Sequence, residues 1–557
     1  MFLALEFSLV ILFLSCALVY PALAEKQFSA FEHRFRRFAQ RRTRAVIGTF
    51  ILALGLRAAL LPVLPIPVPQ VDDEFSHLLL ADTLAHGRLA NPSHPMWVHF
   101  ETFFVNWQPT YASMYYPGHG LWLALGQVVF GNPFWGVLLS SALMCAAICW
   151  ALQGWMPPQW ALLGGILVVI RVGSFSYWAD SYWGGAVAAL GGALAFGAVP
   201  RVMKARRLYH SLLLGFGFAM LALARPYEGL FFSIPLLGML GWWALRGNEP
   251  VKAKFYALAP ALGVVAIALT WLGFYFYRVT GSPFTTPYQL NMREYGMIYF
   301  PWNQLKPVHF RHVGLETFYR GPAVVNFLEM ARHRPLNLQG LKILVLWLFY
   351  FGPALTIPFA SWLVVRPRRF AALFQGKAVV LLAIAATTYV VFALPFSIGQ
   401  PHYIAPALVA IYAMLVLVMR DLYRGSATNR FLARSVVLIC LVLLVARISA
   451  PLLHWSPKPS WVRTWCSQDV ENIARAKIQD QLEDLPGNHL AIVRYAPNHN
   501  FILDEWVFNE AEIDRSRVVW ARDMGAQNDE LMSYFRTRKV WLVQPDYNPP
   551  KLTPYAQ

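Results

Sequence analysis

The chain has 557 residues, 57% hydrophobic and 15% aromatic, with only 14% charged and a formal net charge of +18. A soluble domain carries roughly 25% charged residues, so the composition excludes an ordinary soluble enzyme and points to a polytopic membrane protein. The excess Lys and Arg sits in short loops between apolar runs; anionic lipid headgroups are its expected partner, and no nucleic-acid role is read from it.

The first segment, MFLALEFSLVILFLSCALVYPALA, has the length of a secretory signal and ends in ALA, but its basic residues follow the apolar run instead of preceding it. It is read as a retained helix with its N-terminus outside. Residues 26–44 hold seven Lys/Arg and mark the cytoplasmic side, so 45–64 crosses outward. The outer loop 65–116 then contains a single basic residue, Arg88. Continuing the alternation places 201–207, 246–254, the RPRR at 366–369 and 420–434 inside. It places RPYEG (225–229), 278–340 and SIGQPHY (397–403) outside. About twelve spans result, with 117–131 as an added half-helix. After a last span near 435–454, NHLAIVRYA, SRVVWA and RKVWLVQPD read as strands and NDELMSYFRT as a helix. The expected fold is an all-α polytopic membrane protein of about 12–13 helices with a small α/β extracytoplasmic C-terminal domain. Its parts are residues 1–44, a membrane domain over 45–454 and a soluble region over 455–557. No CxxC pair is present; Cys16, Cys145, Cys149 and Cys440 lie in apolar segments and Cys466 stands alone, so no disulfide framework is expected.

The first outer loop carries the chemistry. Asp72, Asp73 and Glu74 follow the proline-rich LPVLPIPVPQ and open EFSHLLLADTLAHG, whose Phe75, Leu78, Leu79 and Asp82 share one helical face. This predicts an amphipathic helix along the membrane surface, with Asp72 or Asp73 as N-cap and Gly87 as C-cap. The rest of the loop interleaves Trp, Tyr and Phe with His and Pro. Aromatics at an interface usually form a belt, but this density also suits an amphiphilic ligand with a sugar face. His77, His86, His94, His99 and His119 show no HxxxH or HExxH spacing, so no structural metal is expected.

These residues resemble a known family. A first outer loop opening with Asp73-Glu74, a surface helix ending at Gly87 and Pro92, then YYPG at 115–118, looks like the GT-C membrane glycosyltransferases. The nearest groups are the protein O-mannosyltransferases and the lipid A aminoarabinose transferases. RPYEG and QPHYIAPAL (400–408) resemble later outer turns of that family. The resemblance implies transfer of a sugar from a polyprenyl-phosphate donor to a hydroxyl of a lipid, glycan or protein acceptor, on the outer face of a bacterial inner membrane. No cofactor is implied. Whether a divalent metal assists stays open, since the two nearest groups imply none and the oligosaccharyltransferases of the same fold use one.

By the same resemblance Asp73 matches the catalytic aspartate and Glu74 orients the acceptor or supports Asp73. Asp72 is an extra acid, and the motif does not choose between it and Asp73. A phosphate leaving group needs cations: the candidates are Arg320 and His402 first, then Arg225, Arg293 and Lys306, with an Arg225–Glu228 ion pair as the simpler account of Arg225. Tyr115, Tyr116, His119, Asp180, Trp183 and Glu228 are the candidate sugar or acceptor residues, although SYWADSYWGG (176–185) also reads as belt aromatics around a capping Asp180. Arg171 either snorkels or finds a partner. One departure stands out: Met114 occupies the place where the aminoarabinose transferases carry a phosphate-binding lysine. A transporter is the main alternative, and a surface-polysaccharide ligase or polymerase the second. The sequence shows no internal repeat and few of the intramembrane acids that transport usually employs.

Overall fold

The computed structural model describes residues 2–205, 207–365, 376–453, 463–466, 473–502 and 504–555. Among them, seven helices are long and apolar enough to cross a bilayer: Phe2–Val19, Phe134–Leu152, Ala186–Ala205, Pro226–Arg246, Val251–Thr280, Pro401–Tyr423 and Ala427–Ser449. An eighth candidate, Pro335–Tyr350 with Gly352–Val365, bends by 100° at its break. The chain is an integral membrane protein, but this count falls below the twelve or so expected. The difference lies partly in helices shorter than a full span of about 20 residues, since Pro158–Arg171, Leu208–Ala224 and Ala378–Ala393 are apolar but have 10–17 residues, and partly in Arg42–Ala59, whose 18 residues include three Arg. The half-helix expected at 117–131 forms as Pro117–Phe130. RPRR at 366–369 and the boundary at 454–455 lie outside the described residues.

Basic segments assigned to one side of the membrane do meet. Arg434 forms ion pairs with Glu25 and, at 2.7 Å, with Glu32, and Tyr423 donates to Glu32 at 2.6 Å. Two buried ion pairs tie distant helices together. Glu6 of the N-terminal helix meets Arg171 at 3.1 Å, both at most 2% exposed, and also accepts from the Ala354 backbone N–H. Arg171 therefore pairs, and its partner comes from the segment with signal-like length. Arg57 meets Asp180 at 2.8 Å and donates to the backbone oxygens of Leu64 and Ala179. One guanidinium thus joins the proline-rich turn before the acid triplet to the SYWADSYWGG loop.

Beyond the helices, three segments distant in sequence form one outer cap. In the first loop, Asn91–Pro92, Thr110–Ser113 and Val105–Asn106 make a small antiparallel sheet. In the second, helices Pro287–Glu294, Val313–Arg320 and Pro322–His333 follow one another. The C-terminal region is a four-stranded sheet in the order Val518–Arg522, His489–Val493, Lys539–Gln544, Lys551–Pro554, with the first two junctions parallel and the last antiparallel. The three strands and the helix Asn528–Tyr534 fall where the apolar runs predicted them. Alternation along a strand sends successive side chains to opposite faces. Ala491 and Val493 pack with Ile478 and Leu482 of helix Ile473–Asp484, whereas Leu490 and Ile492 pack with Leu79, Phe100, Trp107 and Tyr111 of the first loop. The C-terminal sheet therefore shares a core with that loop.

Candidate active site

The acids open a helix, Asp72–Ala85, and their directions follow from its 3.6-residue turn: consecutive side chains point about 100° apart. Asp72 is buried and faces the C-terminal region, within the electrostatic reach of Glu505 and Arg522. Burial, then the charges of Glu505 and Asp73, push its carboxyl well above the usual range. Glu74 is fully buried on the membrane-body side. One of its oxygens accepts from the backbone N–H of Gln70 and Val71 at 2.8 and 3.2 Å, the other from Tyr182 N–H at 2.8 Å. It braces the helix start against the SYWADSYWGG loop, and burial raises its carboxyl to about 7. With both oxygens engaged by backbone, Glu74 is not positioned to orient an acceptor.

Asp73 points between these two. It is half-buried, and among the described residues one side-chain hydrogen bond reaches it, from the Tyr115 hydroxyl. Burial raises its carboxyl; the Tyr115 donor and the charges of Arg225 and Arg463 hold it back. Its place in the first helical turn also favours the anion, because the N-terminal end of a helix carries partial positive charge. Of the three acids, Asp73 alone has both a hydroxyl donor and cations before it. Neither Asp72 nor Asp73 is the N-cap, which is Val71; Glu74 reaches back to do that work. Gly87 closes the other end at φ +70°, and Arg88 N–H reaches Thr83 O at 3.1 Å, as a left-handed C-terminal turn requires. The expected one-sided amphipathic helix is instead covered on several sides. Phe75 stacks on Phe508 of the C-terminal region at 4.2 Å, and Asp82 accepts from Ala511 N–H at 2.9 Å, so that region packs on the very face that the pattern assigns to the membrane surface.

Around Asp73 lie His77, whose ring stacks on Tyr115 at 4.3 Å, and His119, edge-on to His77 at 4.9 Å. Burial, then the charges of His119 and Arg225, push His77 well below its ordinary value, so it is neutral. His119 bonds Tyr182 O through Nε2 at 2.7 Å. Trp183 packs across His402 at 4.8 Å, and His402 Nδ1 bonds the Tyr177 hydroxyl at 2.9 Å. Among the described residues, Nδ1 of His77, Nδ1 of His119 and Nε1 of Trp183 are buried without a hydrogen-bond partner. Such orphans cost about 1–3 kcal/mol each, and hydroxyl groups of a bound ligand would satisfy them.

Arg225 pairs with Glu228 at 3.3 Å, as its neighbour in sequence suggested, and its guanidinium also lies 5.1 Å from the Tyr403 ring. It acts electrostatically on Asp73, His77 and His119 at once. Gly118 explains how YYPG comes so close: a Cβ there would sit 2.7 Å from the backbone of Leu223 and Ala224, immediately before Arg225. Tyr288 and Tyr299 of the second outer loop and Arg463 complete the surroundings, with Tyr288 6.5 Å from Tyr115 and Arg463 over the Trp183 ring at 5.4 Å. None of these three was singled out from sequence. Tyrosines in an aromatic-rich loop carry no local signal, and Arg463 stands by itself in VRTWC.

Other candidates fall elsewhere. Arg320 is anchored to the second loop's own backbone, its Nη2 donating to Gly296 O at 2.5 Å and Lys306 O at 3.0 Å, while its Nη1 is buried without a partner among the described residues. Arg293 and Lys306 have exposed side chains. Asp180 is taken by Arg57, so its position reflects packing of the loop and not a sugar contact. Tyr116 turns to Phe276 at 5.8 Å. Met114, at the place of the family's lysine, is 1% exposed; the cations near Asp73 are Arg225 and Arg463. Among the described residues no group of three or more His, Cys, Asp or Glu could hold a metal ion.

No sequence-family model matches the chain, and no curated protein sequence does. Its structure is similar to solved ones. Against the oligosaccharyltransferase of Archaeoglobus fulgidus tethered to an acceptor peptide containing the NVT sequon, the TM-score is 0.50 at 10% identity, covering 90% of this chain and 68% of that one. Against the same protein in its apo form the values are 0.47 and 11%, covering 81% of this chain and only 62% of that one. Against ArnT from Cupriavidus metallidurans in the apo state they are 0.48 and 13%, covering 90% of this chain and 93% of that one. The chain therefore has the GT-C fold that this oligosaccharyltransferase has.

Proposed function

We propose that the protein is a membrane glycosyltransferase that moves a sugar from a polyprenyl-phosphate donor to an acceptor hydroxyl on the outer face of a bacterial inner membrane. The observation that carries this reading is the surroundings of Asp73: a half-buried carboxylate at a helix start, bonded by Tyr115 and facing Arg225 and Arg463. The fold agrees with it. In this reading Asp73 accepts the acceptor's O–H proton as the acceptor oxygen bonds to the anomeric carbon. The bond from that carbon to the phosphate oxygen breaks, and the configuration inverts without a covalent enzyme intermediate. Charge developing on the departing phosphate is met by Arg225 and Arg463, and the hydroxyl-bearing Tyr288, Tyr299 and Tyr403 lie within electrostatic reach of Arg225. His77, His119 and Trp183 bind the sugar or acceptor hydroxyls through their unpartnered nitrogens.

Purified protein supplied with a panel of labelled polyprenyl-phosphate sugars and an envelope lipid extract tests this. Transfer of label from one donor into a new product, with release of polyprenyl phosphate, is expected. No transfer from any donor by folded protein would exclude the reading.

A further inference from the structure

A basic cleft lies at the other end of the helices. Helix Leu208–Ala224 ends against Arg225; its first turn, with the start of Arg42–Ala59 and the ends of Phe134–Leu152 and Ala186–Ala205, encloses a cavity of about 630 Å³. Its lining includes Arg42, Arg201, Lys204, Arg207 and His210, and no Asp or Glu among the described residues. Nearby on the same side, Arg434 has two carboxylates, so the absence of an acid here is a local property.

The cavity is built, not a chance gathering of surface lysines. Arg201 is held by donation to Gly197 O at 2.6 Å and Trp150 O at 2.7 Å, with its guanidinium 4.1 Å from the Trp150 ring. A Cβ on Gly154 would lie 2.6 Å from its Nη1, so glycine leaves the guanidinium its room. His210 is 6% exposed and its Nδ1 has no hydrogen-bond partner. The four Lys/Arg repel one another unless an anion enters, and the buried His210 ring nitrogen offers a further hydrogen-bonding position beside them. The remaining lining includes Trp155, Met156 and Pro157, and Leu208 beside it is 63% exposed, which suits an acyl chain next to a headgroup.

We infer that this cavity binds the phosphate-bearing headgroup of an anionic phospholipid from the leaflet opposite Asp73. Basic pockets between membrane helices bind such headgroups, each Lys or Arg adding about 1 kcal/mol near the surface. The site is independent of the reaction proposed for Asp73. Lys204→Glu with Arg207→Glu changes two exposed side chains and leaves Arg201 in place.

Native mass spectrometry of wild type and this double variant, in micelles holding phosphatidylglycerol or phosphatidylcholine, reads the lipid. Thermal unfolding of delipidated protein with inorganic phosphate, against chloride at equal ionic strength, reads the bare anion. Preferred retention of phosphatidylglycerol, at least about tenfold weaker in the variant, supports the lipid site. Phosphate protection that the variant loses, without lipid retention, supports the same anion chemistry with free phosphate as its source. Equal retention of both lipids, or retention unchanged in a folded variant, together with no phosphate effect, overturns the inference.

Discussion

The two polar clusters of this protein sit at opposite ends of the helix Leu208–Ala224 and differ in one respect: the one around Asp73 mixes an acid with cations, and the one around Arg201 holds cations alone. A cation cluster by itself can only hold an anion. A carboxylate with a hydroxyl donor and two arginines before it can take a proton while a phosphate departs. The difference is made by packing. The first cluster brings Asp73, Tyr115, Arg225, Tyr288 and Arg463 together from five stretches of the chain, whereas the cations of the second come from two, Arg42 from one and Arg201, Lys204 and Arg207 from the other.

The largest effect expected is on the acid itself. Asp73→Asn should lower transfer by about 10²–10⁴-fold with donor binding kept. Asp72→Asn, altering a group turned to the C-terminal region, should stay within severalfold. Radiolabel transfer and donor binding on the same preparations separate the two; equal losses would merge what the helix geometry divides.

Next comes the cation that distinguishes a reactive cluster from a merely acidic one. Arg225→Ala should cost on the order of tenfold to a hundredfold in kcat/KM, the range for one charge-assisted contact of about 1.5–3 kcal/mol. Arg225→Lys should recover part of it, since lysine keeps the charge but not the bidentate fork. Kinetics at varied donor concentration reads this, and an unchanged kcat/KM in Arg225→Ala would remove Arg225 from the phosphate.

Glu74→Ala tests the bracing role. It leaves three buried backbone N–H groups without their acceptor, and about 1–3 kcal/mol for each such group predicts a clear fall in thermal stability. The raised carboxyl adds a sign. A group held above its unfolded value stabilises most below that value and loses the contribution as pH rises through about 7, so the gap between wild type and Glu74→Ala should narrow from pH 5 to pH 8. A variant as stable as wild type would show that Glu74 braces nothing.

Much of this was legible in the sequence, for reasons that differ by region. The Asp-Glu pair after a proline-rich turn, YYPG and RPYEG were visible because turn chemistry and helix starts are local. The C-terminal strands were visible through their apolar runs. Arg57–Asp180 and Glu6–Arg171 were not, because the partners are 123 and 165 residues apart and each half looks like an isolated membrane charge. The anchoring of Arg320 was hidden for the same reason: FYRGP does not reveal that its Nη2 reaches Gly296 O and Lys306 O.

The central claim, that Asp73 works as an ionised base tuned by Tyr115, is tested most directly by the pH dependence of transfer at saturating donor in wild type and Tyr115→Phe. Asp73 must be ionised to accept a proton, so activity should fall as pH drops through its raised pKa. The Tyr115 hydroxyl favours the carboxylate, so its loss should move that acid limb to higher pH. An acid limb that stays in place in Tyr115→Phe would contradict the account.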